Sequence, residues 1–277
     1  MKRQRLSSNE NRLTLAGTVW LASDIHLGPE VPLTASVFQR FLDEASVQAD
    51  ALILCGDIFD AWIGDDAALD APAPWLEQAM LGMRKVSSQV PLWLGRGNRD
   101  FLLGRQFARA VGASMLPDSV LLDTDAGQVL LSHGDEYCTD DAGYQRFRRI
   151  VRQPLVQGIF LSLSLGTRRR IANWARARSK ASNQYKAVDI MDVTPSAVTQ
   201  ALARSGASTM VHGHTHRPAI HELEAGGTPR RRIVLPDWDF DHAQPPRGGW
   251  LSISSDGMRL QEAAVLLKGQ PAPHSQP

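Results

Sequence analysis

One local pattern recurs five times along the chain: a short apolar run ends at an Asp, Asn or His that lies close to a glycine. The apolar runs start at residues 18, 51, 91, 129 and 209, and they predict buried strands that lead into tight loops. Helical spacing over residues 34–48 and strand patterns near the C-terminus place these strands in a layered α/β architecture. Because such strands align in sheets, their polar ends are expected to meet.

The residues at these strand ends form a set of candidate metal ligands. A single Asp or His after a strand is usually a turn residue, but five such ends together are poorly explained as turns. The carboxyl ends of strands open into one crevice, so donors that are distant in sequence can converge there. Carboxylate, amide and imidazole donors without thiolate favour Mn, Fe, Zn or Mg over a structural zinc. The seven candidate ligands are Asp24, His26, Asp57, Asn98, His133, His214 and His216. Seven ligands are too many for one ion, and Asp57 is the candidate to bridge two ions.

Residues 141–190 depart from this pattern and predict a helical insertion. They contain no apolar run that ends in Gly or Asp, but apolar residues recur at helical spacing from Leu155 to Leu165. The segment holds eleven basic and two acidic residues, although the whole chain has a net charge of +1. This segregation indicates an anionic partner. Taken alone, the run Arg168–Arg170 fits a solvated helix face equally well, and the apolar residues fit a packed core better than a lipid contact.

Composition and cysteine content exclude several classes of protein. A chain of 277 residues, 43% of them hydrophobic, allows one large domain or a core with a modest insertion. The near-neutral net charge argues against a nucleic-acid polymer as partner. Two cysteines, Cys55 and Cys138, do not make a disulfide framework and favour a reducing cytoplasm. We find neither a secretory signal nor a spanning apolar segment.

The domain organisation follows from these patterns. We expect a flexible N-terminal lead, a core in two parts, a helical cap between those parts and a disordered C-terminal tail. Their boundaries are 1–16 for the lead, 17–140 and 194–268 for the core, 141–193 for the cap and 269–277 for the tail.

Five short motifs resemble, in order, the five blocks of the calcineurin-like metallophosphoesterases. They are Ser23-Asp-Ile-His-Leu27, Gly56-Asp57, Gly97-Asn98-Arg-Asp100, His133-Gly-Asp135 and Gly213-His-Thr-His216. Longer stretches, among them Gly56 to Asp66, Ile190 to Val193 and His212 to Pro218, resemble the narrower group of UDP-2,3-diacylglucosamine hydrolases of lipid A biosynthesis. The resemblance implies a two-sheet β-sandwich flanked by helices in four layers, with a helical cap insertion.

The same resemblance implies a reaction and a ligand set. The pyrophosphate bond of UDP-2,3-diacylglucosamine would be hydrolysed at its α-phosphorus by metal-activated water, giving UMP and 2,3-diacylglucosamine 1-phosphate. Two Mn²⁺ ions would be held, one by Asp24, His26, Asp57 and His216, the other by Asp57, Asn98, His133 and His214. The catalytic residues implied are Asp57, Asn98, Arg99 and His214. Arg99 stands where the wider family commonly has His, and it would stabilise phosphate charge because a guanidinium does not release its proton near neutrality.

The matching substrate contacts lie in two places. Asn98 and Arg99 are expected at the phosphates, and the remaining positions surround the nucleotide and glucosamine: Asp141, Tyr144, Ser179, Asn183, Lys186 and His214. A substrate with a diphosphate and two acyl chains calls for cations beside apolar surface. We therefore expect residues 155–174 to line an acyl groove and to dock peripherally on the cytoplasmic side of the inner membrane.

Two other functions stay open at this point. One is a metallophosphodiesterase or phosphatase of soluble nucleotides, against which the apolar, basic insertion argues. The other is a non-catalytic scaffold of the same fold, against which the complete ligand set argues. Asp100 and Asp135 are candidates to orient ligands, and Pro236 stands where the resemblance would have glycine, which leaves the turn at 234–238 undetermined. The sequence does not indicate the oligomeric state.

Overall fold

Two six-stranded mixed sheets pack face to face in the computed structural model, which describes residues 11–183 and 192–267 and, in the first range, side chains up to residue 175. Strands are numbered in chain order. The first sheet has the spatial order β12 (Gly257–Glu262), β11 (Gly249–Ser254), β2 (Val19–Ala22), β3 (Ala51–Leu54), β4 (Leu92–Leu94) and β5 (Ser114–Met115). The second sheet has the order β1 (Arg12–Thr14), β6 (Ser119–Thr124), β7 (Gly127–Ser132), β8 (Thr209–His212), β10 (Thr228–Val234) and β9 (Ala219–Ala225).

Helices cover the outer faces of both sheets, so the predicted four-layer sandwich is confirmed. The first sheet is covered by α1 (Pro32–Gln48) and α3 (Pro74–Gln89), and the second by α8 (Pro195–Ser205). Two short helices, α2 (Asp66–Leu69) and α4 (Arg105–Ala110), contact each other, and α4 also contacts β5. The insertion forms α5 (Ala142–Val151), α6 (Pro154–Leu161) and α7 (Leu165–Asn183).

The central strands are buried on both faces because each sheet has a second layer on either side. Along β2, Leu21 faces the other sheet, whereas Trp20 packs with Phe41 of α1. This alternation is the two-residue period of a strand. Strands β2, β3 and β4 are parallel, and so are β7 and β8, so their carboxyl ends point to the same edge of their sheets.

The predicted flexible lead of residues 1–16 is wrong from residue 12 onward. Strand β1 pairs in parallel with β6, and Leu13 and Leu15 are each only 1% exposed. Arg12 also forms an ion pair with Asp123. A three-residue strand is too short to show the two-residue alternation of apolar and polar side chains in the sequence. Leu13 is buried because β1 pairs with β6. Residues 1–10 and the predicted tail at 269–277 lie outside the described residues.

The insertion exposes most of its large apolar side chains. Leu155 is 75% exposed and Ile159 is 59% exposed, so the packed core that these residues favour when taken alone is wrong here. Helix α6 is only eight residues long and carries apolar side chains all round, of which Phe160 packs against the helical layer of the first sheet. In the described parts of the chain, no helix has the length and hydropathy needed to cross a bilayer.

Candidate metal centre

The carboxyl ends of five strands deliver all seven predicted ligands to one place. The loop after β2 carries Asp24 and His26, and the loops after β3 and β4 carry Asp57 and Asn98. The second sheet contributes the other three through β7 and β8: His133, His214 and His216. The structure thus brings together residues that are up to 192 positions apart because parallel strands end at a common edge.

The backbone is held in an unfavourable conformation at most of these positions. Positive φ angles occur at Asp24 (54°), His26 (53°), Asp57 (50°), His214 (65°) and His216 (54°). In the described part of the chain, Asn11 is the one other non-glycine residue with a positive φ. Such a conformation costs about 1–3 kcal/mol at each residue and tends to concentrate at functional sites. Its clustering here marks the strand ends as a site and not as ordinary turns.

Three of the ligands form a first cluster. The Oδ1 atom of Asp24 lies 3.4 Å from Nε2 of His216 and 4.0 Å from Nε2 of His26. The Nε2 atoms of the two histidines are 3.3 Å apart. Ligands about 2.1 Å from a common cation are about 3–4 Å from one another, so this spacing suits one ion.

The second cluster lies on the other side of Asp57. Nε2 of His133 is 3.7 Å from Oδ2 of Asp57 and 3.1 Å from Oδ1 of Asn98. The same amide oxygen lies 2.8 Å from Nδ1 of His214. Because Oδ2 of Asp57 is also 4.0 Å from Nδ1 of His26, it faces a histidine of each cluster.

The electrostatics of the site suit cations. Burial, together with the carboxylates of Asp100 and Asp24, raises the pKa of Asp57 to about 7 against the opposing charge of His133. Burial lowers the pKa of His133, but the charges of Asp57 and Asp24 outweigh it and bring that pKa to about 9. The site therefore stabilises positive charge at a buried position.

The histidines themselves are suited to bind metal. Burial lowers the pKa of His26 to about 3 and that of His214 to about 4, so both imidazoles are neutral and have a free lone pair. Nδ1 of His26 is buried and has no hydrogen-bond partner. A buried polar atom without a hydrogen-bond partner calls for a bound water or ion beside it. The donor set thus fits the pair of divalent ions that the sequence predicts.

Asp100 joins the two loops that carry Asp57 and Asn98. Its carboxylate accepts hydrogen bonds from the backbone N–H groups of Asp57 (3.1 Å), Ile58 (2.7 Å) and Gly97 (2.7 Å). Gly97 is required because a Cβ atom there would lie 2.0 Å from Oδ1 of Asp57. Asp100 thus holds the backbone of Asp57 in place.

Sequence reasoning missed Asp237, which supports His216. Its Oδ2 atom lies 3.5 Å from Nδ1 of His216 and accepts hydrogen bonds from Nη2 (2.8 Å) and Nε (2.9 Å) of Arg247. A carboxylate on the second ring nitrogen orients a ligating histidine. The signal was present, since Asp237 follows the apolar end of β10, but Pro236 obscured the repeated pattern. Arg247 has no comparable signal.

The predicted substrate contacts are placed in part. The side chain of Arg99 is 41% exposed, and its backbone N–H donates to Oδ1 of Asp57 at 2.8 Å. The ring of Tyr144 stacks on His214 with 6.0 Å between centroids, and its hydroxyl donates to Asp135 at 2.6 Å. Asp141 caps α5 by accepting from the backbone N–H of Tyr144. The side chains of Ser179 and Asn183, and the whole of Lys186, lie outside the described residues.

Comparison with known proteins identifies the family. Residues 17–218 match the family described as calcineurin-like phosphoesterase. The chain belongs to the calcineurin-like phosphoesterases. This phosphoesterase is 55% identical over 249 residues to the UDP-2,3-diacylglucosamine hydrolase of Bordetella parapertussis, which covers 90% of this chain and 96% of that protein. The predicted metal-dependent hydrolase chemistry is thereby confirmed.

Relatives from other bacteria carry the same name. The phosphoesterase is 46% identical over 244 residues to the UDP-2,3-diacylglucosamine hydrolase of Pseudomonas paraeruginosa, over 87% of this chain and 97% of that protein. It is 43% identical over 244 residues to that of Serratia proteamaculans, over 88% of this chain and 97% of that protein. In all three cases the alignment spans nearly the full length of the relative.

Proposed function

We propose that this phosphoesterase hydrolyses the pyrophosphate bond of UDP-2,3-diacylglucosamine at its α-phosphorus and releases UMP and 2,3-diacylglucosamine 1-phosphate, a step of lipid A biosynthesis. The observation that carries the proposal is a seven-ligand cluster in direct contact with a basic insertion that exposes apolar side chains. Polar and apolar parts of such a substrate would each meet a matching surface. The names of the relatives support the same substrate.

We assign the ligands to two Mn²⁺ ions. Asp24, His26, Asp57 and His216 would hold one ion, and Asp57, Asn98, His133 and His214 the other. The position of Asp57 between His26 and His133 supports its role as the shared ligand. When bound, two such ions supply Lewis-acid stabilisation of phosphate charge and acidify water.

The chain's own groups bind and orient the diphosphate. The backbone of Arg99 is held on both sides, since its N–H donates to Asp57 and its carbonyl accepts from the N–H of Trp62 at 3.2 Å. The exposed guanidinium can therefore reach a phosphate from a fixed base, and its planar fork of donors stabilises charge that develops there. Asp141, Tyr144, Ser179, Asn183 and Lys186 would contact the nucleotide and glucosamine, with Tyr144 placed over His214.

The insertion is proposed to accommodate the acyl chains and to rest on the cytoplasmic face of the inner membrane. Its exposed apolar side chains form what we call the insertion's apolar surface: Phe147, Ile150, Leu155, Ile159, Ile171 and Trp174. Arg169 and Arg170 are exposed beside it and suit an anionic leaflet. Arg168 does not belong to this basic patch, because it is buried, so the patch of three arginines expected from the sequence is reduced to two.

Hydrolysis in ¹⁸O-labelled water tests the proposed reaction. With Mn²⁺ present, we expect UMP to be released from UDP-2,3-diacylglucosamine and to carry the label, because attack at the α-phosphorus adds the water oxygen to UMP. The deacylated UDP sugar serves as the matched substrate and should be cleaved poorly. Label in the sugar phosphate would contradict the site of attack, and equal turnover of both substrates would favour a phosphodiesterase of soluble nucleotides.

Removal of the insertion's apolar surface should weaken lipid recognition without affecting the metal centre. In a variant with Leu155, Ile159 and Trp174 all changed to Ser, we expect kcat/KM for the diacylated substrate to fall about tenfold or more, since apolar burial of this size contributes more than 1 kcal/mol. Binding to anionic vesicles should fall in parallel. Val47→Ser on α1, where the side chain is 83% exposed, is the control and should change neither value. Unchanged vesicle binding in the triple variant would contradict the membrane role.

A further inference from the structure

Three acidic residues form contacts that hold the insertion on the core. They belong to the sequence motifs but have no part in the proposed chemistry. Asp135 accepts hydrogen bonds from Tyr144 and, at 2.8 Å, from Arg148 of α5. Asp192, just past the insertion's helices, contacts Arg217 at 3.3 Å and Arg232 at 3.4 Å. The third, Asp66, meets Arg168 of α7. The insertion is therefore tied to the core near both ends and at its middle.

The middle contact centres on the guanidinium of Arg168. Nη1 of Arg168 donates to the carbonyl oxygen of Ile63 at 2.6 Å and to Oδ1 of Asp66 at 2.8 Å, and Nη2 donates to the other carboxylate oxygen. Its Nε donates to the carbonyl oxygen of Leu163 at 3.0 Å. Arg168 is 3% exposed, whereas Arg169 and Arg170 are exposed. This one arginine of the run points inward, and its fork is satisfied by core and insertion together.

The core is shaped to receive the guanidinium at this point. Gly64 has a φ of 130°, and a Cβ atom there would lie 2.4 Å from Nη1 of Arg168 and 2.9 Å from Cδ2 of Leu161. The positive φ favours glycine here, and a side chain would displace the ends of the Arg168 and Leu161 side chains. The close approach argues that the contact is built into the fold and is not a casual surface ion pair.

Arg168 binds the loop of residues 62–66, and the same loop contacts Arg99. Within it, the backbone N–H of Trp62 donates to the carbonyl oxygen of Arg99. Asp65 fixes the same loop to the core by accepting from the indole of Trp62 at 3.0 Å and from the backbone N–H of Gly104 at 2.9 Å. Arg168 thus ties the insertion to a loop that lies beside Arg99 and that Asp65 holds to the core independently of Arg168.

We propose that Arg168 is a positioning residue that sets the insertion's apolar surface in register with the metal centre, so that the acyl chains and the diphosphate of one substrate can be bound together. The proposal rests on the proposed function for its substrate. Its physical basis is that the planar fork binds a carboxylate and a carbonyl at once, which a single ammonium group does not reproduce. Misplacement of a binding surface by about 1 Å is enough to reduce turnover strongly.

Kinetics with two substrates test this role. For Arg168→Gln we expect kcat/KM on UDP-2,3-diacylglucosamine to fall about tenfold or more, while kcat/KM on bis(p-nitrophenyl) phosphate with the same metal stays within twofold. Arg168→Lys should recover only part of the loss, because it keeps the charge but not the fork. Arg109→Gln on α4, an exposed arginine with no role in the proposed site, is the control and should leave both values unchanged. An equal loss on both substrates, or no loss on the lipid substrate, would overturn the proposal.

A second readout does not depend on the substrate. Chymotrypsin cleavage within the insertion should be about tenfold faster in Arg168→Gln than in Arg169→Gln. The first variant loses the contact with Ile63 and Asp66, which we call the anchor, and both variants keep all chymotrypsin sites. Asp66→Asn should show the same change in milder form and serves if Arg168→Gln does not fold. If the wild type fails to cleave the diacylated substrate but the cleavage rates differ as expected, the proposed function fails and the anchor stands. Equal cleavage rates would refute the anchor itself.

Discussion

Replacement of Asp57 by alanine is expected to reduce kcat for hydrolysis of UDP-2,3-diacylglucosamine by about 10⁴-fold or more, equivalent to about 5.5 kcal/mol in activation free energy. Asp57 faces a histidine of each cluster, so its loss removes a ligand from both proposed ions. The same variant frees the backbone N–H of Arg99, which donates to Oδ1 of Asp57. Both the binding of metal and the position of the phosphate-binding arginine are therefore impaired. Release of UMP measured with Mn²⁺ in excess gives the effect.

Two matched variants separate the causes of this loss. Asp57→Asn keeps an oxygen for the N–H of Arg99 but removes the negative charge, so a loss as large as that of alanine attributes the effect to metal binding. Asp43→Ala removes a carboxylate on α1 that is 54% exposed and belongs to neither cluster, and it should leave kcat unchanged. If Asp57→Ala retains a kcat within tenfold of the wild type, the shared-ligand assignment is wrong.

Asp100→Ala is expected to lower the free energy of unfolding by about 3–5 kcal/mol, the largest effect on stability that the site predicts. Asp100 is fully buried and accepts from the backbone N–H groups of Asp57, Ile58 and Gly97. Alanine would leave three buried donors without an acceptor and would free two loops from each other. Urea denaturation followed by circular dichroism measures the change.

Two control variants accompany this prediction. Asp100→Asn keeps one carbonyl oxygen, so it should lose less stability than alanine does. Asp43→Ala removes only a surface pair with Lys85 and should change the free energy of unfolding by less than about 0.5 kcal/mol. Equal stability of the wild type and Asp100→Ala would show that the three N–H groups find other partners.

The ligand set could be read from the sequence because its seven members follow five apolar runs. Buried parallel strands are short apolar segments, and the residue after such a segment lies at the sheet edge where sites form. Asp237 obeys the same rule, but Pro236 separates it from the end of β10. Arg247 comes from the connection between β10 and β11, where no period exists. Loop residues that support a ligand are therefore harder to predict than the ligand itself.

The insertion shows more clearly which features the sequence does not predict. Its charge excess and helical spacing were visible in the sequence, but the exposure of Leu155 and the burial of Arg168 were not. Successive helical residues are turned by about 100°, so Arg168, Arg169 and Arg170 face three directions, and nothing in their order indicates which one meets the core. That choice depends on where the carbonyl of Ile63 and the carboxylate of Asp66 lie.

The sequence by itself determined the chemistry available to this protein: which residues can bind divalent cations, where strands end, and which segment concentrates positive charge. These are properties of local composition and period, which the chain carries whatever its neighbours are. The tertiary structure alone decided which oxygen of Asp57 faces both histidine clusters, that Asp237 stands behind His216, and that one arginine anchors the insertion. These are contacts between distant segments, and they depend on the packing of two sheets and their helices, which no local pattern records.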